Sequence, residues 1–161
     1  MNNNDILRRI RYIFDFDDPK MIALFSAGGQ TVTRGQISDW LKREDDSSYQ
    51  ECSDRLLATF LNGMIIERRG KRDGTQPVPE SRLSNNMIFM KLKIALNLKA
   101  EDVLKILDLV QFRVSRHELS ALFRNPAHKH YRECKDQMLR NFLKGLQLTY
   151  RDDDVSETAG Q

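Results

Sequence analysis

The fold of this chain is decided by a stretch that occurs twice, YQECSDRLLATFLNG at residues 49–63 and YRECKDQMLRNFLKG at residues 131–145. The two stretches lie 82 residues apart and carry the same residue at eight of their fifteen positions. Self-similarity at a fixed offset is the signature of a repeated structural unit. The same offset, without a gap, also places Asn3, Asn4 and Ile6 on Asn85, Asn86 and Ile88. The chain therefore contains two copies of one unit, at residues 3–70 and 85–151.

Apolar residues recur with helical spacing throughout both copies, and no run alternates as a half-buried strand would. We predict four helices in each copy. The third begins with a capping box in both copies, formed by Thr33 with Gln36 and by Ser115 with Glu118. The fourth carries the apolar stripe that each copy buries in its core.

The remaining segments predict how the copies are connected. Residues 71–84 hold one glycine and two prolines among polar residues, as expected of a linker. Residues 152–161 are acidic and lack apolar periodicity, which predicts a disordered tail. A unit of about 68 residues buries only a small core on its own. The predicted fold class is therefore all-α, with two tandem homologous four-helix units packed as one helical domain, related by a pseudo-twofold axis or by simple stacking.

The composition excludes several classes of protein. Of 161 residues, 40% are hydrophobic and 30% are charged, which suits a chain that buries a core. No apolar run approaches the roughly 20 residues that cross a bilayer, and the start Met1-Asn2-Asn3-Asn4 lacks the apolar region of a signal peptide. We therefore expect a cytoplasmic protein without a membrane partner.

Short motifs from both copies carry a resemblance to a known family that covers nearly all of the chain before the acidic tail. They are Asn4-Asp5-Ile6-Leu7-Arg8, Trp40-Leu41, Phe60-Leu61-Asn62-Gly63, Arg69-Gly70-Lys71, Gln111-Phe112-Arg113-Val114-Ser115 and Glu133-Cys134-Lys135-Asp136-Gln137. These motifs resemble the bacterial YehS-like family, which is built from a tandem of the domain of unknown function 1456. The resemblance implies a small helical bacterial protein, and it brings no activity, cofactor or catalytic residue with it.

The cysteines and histidines show no complete metal or redox motif. Cys52 and Cys134 each lie on the apolar stripe of a predicted fourth helix with acids nearby, which favours buried, reduced thiols over a redox role. His128 and His130 precede Cys134 in a His-x-His-x-x-x-Cys pattern. Three ligands do not complete a structural zinc site, and the chain has no spaced cysteine pair. A zinc site is therefore the weaker alternative, and no metal is predicted.

Two glycines occupy equivalent positions inside the predicted fourth helices, Gly63 and Gly145. Glycine lowers the stability of a helix by about 1 kcal/mol relative to alanine, so another interaction must offset this loss in each copy. We expect another helix to pack on the bare backbone, for example where the two copies meet, with a hinge as the alternative.

Catalysis has little support in the sequence. There is no phosphate-binding glycine loop, no Ser-His-acid arrangement and no zincin motif. We therefore expect no enzymatic activity and no cofactor.

Two functional classes remain. The first, which we favour, is a protein-interaction or assembly module that presents helix faces to an unknown protein partner or to a second copy, most simply as a homodimer. The second is a nucleic-acid-binding regulatory protein whose second and third helices form a helix-turn-helix-like element. The connections at residues 28–32 and 109–114 fit the usual short, glycine-containing turn poorly.

The charge distribution predicts where an anion would bind. Residues 3–70 hold 10 Lys and Arg against 11 Asp and Glu, whereas residues 85–151 hold 13 against 6, a net charge of +7. An anionic partner or nucleic acid would meet this second copy; the alternative is that the acidic tail and the first copy neutralise it. The predicted contact residues are Arg113, Arg116, Arg124, His128, Lys129, His130 and Arg132.

Overall fold

A computed structural model describes residues 1–151, and the predicted acidic tail at residues 152–161 lies outside the described part. The described residues form eight helices and no strand, which confirms the all-α fold class. The first copy contains α1 (Asn3–Phe14), α2 (Asp18–Ala27), α3 (Arg34–Leu41) and α4 (Asp54–Arg69). The second contains α5 (Asn85–Ala95), α6 (Ala100–Leu109), α7 (Arg116–Leu122) and α8 (Asp136–Tyr150).

Both predicted capping boxes are confirmed. The hydroxyl of Thr33 accepts from the amide of Gln36, and the Gln36 side chain accepts from the amide of Thr33. Ser115 and Glu118 make the same reciprocal pair at α7. Because each box satisfies two amides that a helix start leaves free, the two short third helices begin at equivalent residues.

An asparagine pair ties the first helix of each copy to the segment before the fourth. The side-chain Nδ2 of fully buried Asn4 donates to the carbonyl oxygens of Trp40 and Gln50, both at 2.8 Å, and its Oδ1 accepts from the amide of Cys52 at 3.0 Å. The neighbouring Asn3 donates to the carbonyl of Cys52 and to the carboxylate of Asp54. The pair thus satisfies backbone groups at the end of α3 and in the loop before α4 that would otherwise lack partners.

The second copy repeats each of these five hydrogen bonds. Asn86 donates to the carbonyl oxygens of Leu122 and Arg132 and accepts from the amide of Cys134. Asn85 donates to the carbonyl of Cys134 and to Asp136. The recurrence of both asparagines therefore has a structural cause.

Close packing explains the helical glycines. A Cβ built on Gly63 would overlap the carbonyl of Leu24 on α2, and one built on Gly145 would lie 2.5 Å from the carbonyl oxygen of Ile106 on α6. The expectation of close packing is therefore confirmed, but the suggested location, where the two copies meet, is wrong. Each glycine admits the second helix of its own copy, because the two helices cross too closely for any side chain.

The two copies pack reciprocally. Helix α4 lies against α5, and the equivalent helices α8 and α1 lie against each other. A contact in which each copy uses the same surface is isologous, as at a twofold axis. This settles the open choice between a pseudo-twofold arrangement and simple stacking in favour of the former.

Polar contacts at the seam, one hydrogen bond and one ion pair, follow the same symmetry. Oδ2 of Asp54 accepts from the amide of Leu83 at 2.9 Å, two residues before α5. Oδ2 of Asp136 lies 3.7 Å from the backbone nitrogen of Met1, two residues before α1. The first aspartate of each copy's last helix therefore holds the entry to the other copy's first helix.

The cysteines lie just outside the helices on which they were predicted. Helix α4 begins at Asp54 and α8 at Asp136, so Cys52 and Cys134 precede the N-cap residues of these helices. Both side chains are nevertheless buried in the core. An apolar residue before the N-cap commonly packs against the first turns of its helix, which is why the position continues the apolar stripe.

Both thiols are expected to be unreactive in the folded protein. Burial raises the pKa of Cys52 to about 12 and that of Cys134 to about 11, and the nearby carboxylates of Asp54 and Asp136 act in the same direction. At about pH 8 neither side chain supplies the thiolate that reacts with Ellman's reagent. We expect two thiols to react in denaturant and none on the same timescale in the native state. Fast native labelling would contradict the burial.

Candidate binding cleft between the two copies

The seven basic residues predicted as one anion-binding face are exposed or half-buried, but they do not form one site. Lys129, His130 and Arg132 line a cavity of about 620 Å³ beside α7, together with His117 and two glutamates, Glu118 and Glu133. These acids offset much of the positive charge. The cavity brings together three of the predicted residues.

The other four predicted residues lie elsewhere. Arg113 lines a small cavity beside α6, and Arg124 lies at the rim of a different cleft. Arg116 is 3.6 Å from the carboxylate of Glu101. The Nδ1 atom of His128 accepts from the amide of His130 at 3.0 Å, which closes a local turn.

The structure does not assemble the metal-like pattern of the second copy. His128 and His130 are exposed in the loop after α7, whereas Cys134 is buried in the core. Within residues 1–151, no three side chains among His, Cys, Asp and Glu are placed to hold a metal ion together.

An apolar concave surface lies at the seam where α4 meets α5. It is a cleft of about 410 Å³, within the range of about 300 to 1,000 Å³ that is typical of ligand sites. Helix α4, the linker, α5 and the loop after α7 form its walls. We call this surface the apolar cleft; the apolar side chains that define it are Ile65, Pro77, Met87, Met90, Ile94, Leu122, Phe123, Pro126 and Tyr131.

Helix α5 supplies the floor of the apolar cleft because it is apolar on two faces. Its core face carries Ile88, Phe89, Leu92 and Ala95, all buried. Met87, Met90 and Ile94 follow the spacing of a second stripe, and all three line the cleft. Met87 and Ile94 are 38% and 42% exposed. The second stripe is therefore partly exposed to solvent.

The pseudo-twofold axis generates an equivalent cleft where α8 meets α1. We call it the charged cleft; it has a volume of about 550 Å³ and is lined by Met1, Asp5, Arg8, Arg9, Tyr12, Arg140 and Gln147. At the offset of 82 residues, Asp5, Arg8, Arg9 and Tyr12 correspond to Met87, Met90, Lys91 and Ile94. One repeat fold thus builds the same cleft twice with different chemistry.

Three cations border the apolar cleft, and one of them is nearly buried. Arg72 and Arg124 belong to its lining, and the Lys91 side chain is only 12% exposed. The Lys91 ammonium donates to Oδ1 of Asn62 at 2.6 Å and lies 3.1 Å from the carboxylate of Glu80 in the linker. The Nδ2 atom of Asn62 is buried without a hydrogen-bond partner among the described residues.

Sequence reasoning missed the apolar cleft. Its walls come from both copies and the linker, so no single segment shows it. One signal was present: α5 has methionines where α1 has Asp5 and Arg8, although the rest of the two helices follows the same pattern. The positions at which the two copies differ in hydropathy, rather than those at which they are identical, indicate α5.

None of the helices within residues 1–151 is long and apolar enough to cross a membrane.

Comparison with known proteins assigns the chain to a family. No solved structure matches it. It is 46% identical over 147 residues, 91% of this chain and 94% of the relative, to a protein of Escherichia coli (strain K12) described as "Uncharacterized protein YehS". The family model described as "Protein of unknown function (DUF1456)" matches residues 3–70 and again residues 85–152. The chain therefore belongs to the DUF1456 family and carries its domain twice in tandem.

Proposed function

We propose that this protein is a non-enzymatic protein-interaction module of the cytoplasm, and that its apolar cleft binds an amphipathic, acidic helix of a partner protein. Two buried free thiols suit a reducing compartment. The observation that carries the proposal is the divergence of the two equivalent clefts. Because the repeat folds with Asp5 and Arg8 at the positions of Met87 and Met90, the apolar stripe is not required for folding.

The shape and chemistry of the apolar cleft favour a helix as its occupant. An amphipathic helix commonly lays its apolar face into a groove between helices, and flexible methionine side chains adapt to such partners. The rim contributes Arg72, Lys91 and Arg124 against one carboxylate, Glu80. This excess of positive charge complements a partner helix with acidic residues beside its apolar stripe.

Peptide selection tests this function. A display library of helical peptides of about 16 residues, roughly four turns, is selected on the wild-type protein. We expect enriched sequences with apolar residues at helical spacing and flanking acids. Their binding should be lost with Met87→Asp and with Ile94→Asp, because a carboxylate would then lie in the apolar floor.

The matched control is Leu109→Asp, which changes a residue that is 56% exposed outside the apolar cleft. It should leave binding intact. Enrichment of no peptide, or equal binding by the floor variants and the control, would contradict the proposal. Light scattering under the same conditions tests the predicted homodimer by measuring the oligomeric state. If the protein is a dimer and Met87→Asp makes it a monomer, the occupant of the cleft is a second copy and not a partner protein.

Nucleic-acid binding is the second candidate, supported by the net charge of +7 over residues 85–151 and by Lys129, His130 and Arg132, which line one cavity. Six residues connect α2 with α3 and α6 with α7, so this support comes from charge and not from a helix-turn-helix geometry. Duplex DNA or single-stranded RNA should be retained at about 50 mM salt, with a log-log salt slope of about −0.9 per duplex phosphate contacted.

The variant Arg116→Glu with Lys129→Glu and Arg132→Glu should abolish this retention without loss of fold, because exposed charges contribute little to stability. Absence of retention by the wild-type protein would exclude the second candidate.

A further inference from the structure

The apolar cleft holds a cation in a setting that demands a counter-charge. Lys91 is 12% exposed and lies among the methionines of the cleft. Lysine is rarely buried to this degree without a partner, since removing its charge from water is costly. A carboxylate beside Lys91 therefore stabilises its charge in the free protein and in the occupied cleft alike.

In the free protein Glu80 supplies that carboxylate. It lies 3.1 Å from the Lys91 ammonium and belongs to the linker, not to the helical floor. The second contact of the ammonium, to Oδ1 of Asn62 at 2.6 Å, comes from α4 and fixes the direction of the side chain. The ammonium can therefore keep its contact with Asn62 while the carboxylate beside it is exchanged for another.

The charged cleft carries a cation at the same place. Arg9 is the equivalent of Lys91 at the offset of 82 residues and lines the charged cleft. The apolar stripe is present in only one of the two clefts, but both carry a cation at this position. The agreement favours a role for the charge in binding, beyond its contact with the linker.

We infer that Lys91 is the anchor for one carboxylate of the partner helix, and that Glu80 holds this position in the free protein and is displaced on binding. This inference rests on the proposed function and names the partner's essential group as an Asp or Glu side chain beside its apolar stripe. Exchanging one carboxylate for another keeps the ammonium paired, so the exchange avoids the large cost of leaving a buried charge alone. Glu80 thus acts as an internal competitor that sets the affinity of the cleft.

The experiment uses two probes: the tightest peptide from the selection, and the same peptide with each Asp and Glu replaced by Asn and Gln. Fluorescence anisotropy gives their affinities for the full chain. The wild-type protein should prefer the acidic probe by about tenfold, the scale of one charged hydrogen bond. The variant Glu80→Gln should bind the acidic probe about tenfold tighter than wild type and the neutral probe unchanged, because the competitor is lost.

Variants of Lys91 test the anchor itself. Lys91→Met should remove the preference for the acidic probe while keeping the apolar contacts, and Lys91→Arg should retain the preference. The matched control is Glu67→Gln, which removes the carboxylate of a surface pair with Lys20 away from the cleft and should change neither affinity. Thermal unfolding of each variant shows whether it remains folded.

The outcomes separate the two proposals. Equal binding of both probes by the wild-type protein, or an unchanged affinity in a folded Glu80→Gln variant, would overturn the anchor and leave the apolar cleft as a binding site. A selection that yields no peptide dependent on Met87 would overturn the proposed function and the anchor with it.

Discussion

Replacement of Asn4 by leucine should lower the free energy of unfolding by about 4 kcal/mol. Leucine has a similar volume but leaves the carbonyls of Trp40 and Gln50 and the amide of Cys52 without their partner. A buried backbone group without a hydrogen bond costs about 1 to 3 kcal/mol. Because domains are stable by only about 5 to 15 kcal/mol, this loss should be evident as a large fall in the urea midpoint.

The twin site and a surface asparagine provide the comparison. Asn86→Leu breaks the same three contacts in the second copy and should be similarly destabilising. Asn141→Ala removes an exposed hydrogen bond to the carbonyl of Gln137 and should change stability by less than about 0.5 kcal/mol. Equal midpoints for Asn4→Leu and Asn141→Ala would show that the buried network does not hold the fold.

Replacement of Gly63 by alanine should cost about 3 kcal/mol, at the upper end of overpacking effects. The new Cβ would overlap the carbonyl group of Leu24, which belongs to the backbone of α2 and cannot turn aside as a side chain can. Helices α2 and α4 would have to separate along their whole contact. Guanidinium unfolding followed by circular dichroism measures the loss.

A third glycine, Gly35, provides a control for which alanine should raise the free energy of unfolding. In Gly35→Ala the nearest atom to the new Cβ is the hydroxyl oxygen of Thr33 at 3.9 Å, so space is available on α3. This variant should gain about 0.5 kcal/mol, because alanine restricts the unfolded chain and favours the helix. A Gly63→Ala variant as stable as wild type would contradict the close crossing.

The architecture could be predicted because each helix boundary appears twice. Capping boxes at Thr33 and Ser115 depend on residues three positions apart, so local sequence is enough to place them. The first residue of the fourth helix could not be predicted from local sequence. Cys52 extends the apolar stripe, yet its backbone amide bonds to Asn4, 48 residues away, and the helix begins only after it.

The asparagine pair illustrates a signal that was present but not interpreted. Identical residues at Asn3 and Asn85 and at Asn4 and Asn86 helped to reveal the repeat. Their side chains reach backbone groups that are distant in sequence and brought near only by folding. An asparagine at the start of a helix is usually a cap, and that local role hides the tertiary one.

The candidate site could not be predicted from the sequence for a different reason. Counting charges grouped Arg113, Arg124 and Lys129 because they are close in sequence, but they lie in three different places on the surface. The apolar cleft depends on how α4 meets α5 across the seam, which sequence periodicity does not determine. The hydropathy of α5 contained the relevant information only when it was compared with that of α1.

The linker makes the two sides of the pseudo-twofold axis unequal. A linear chain can join α4 to α5, but the same short bridge cannot lead from α8 back to α1. Pro77 and Glu80 therefore wall one cleft and have no counterpart at the other. The two clefts therefore differ in their walls as well as in the side chains of their floors, although the repeat that builds both is symmetric.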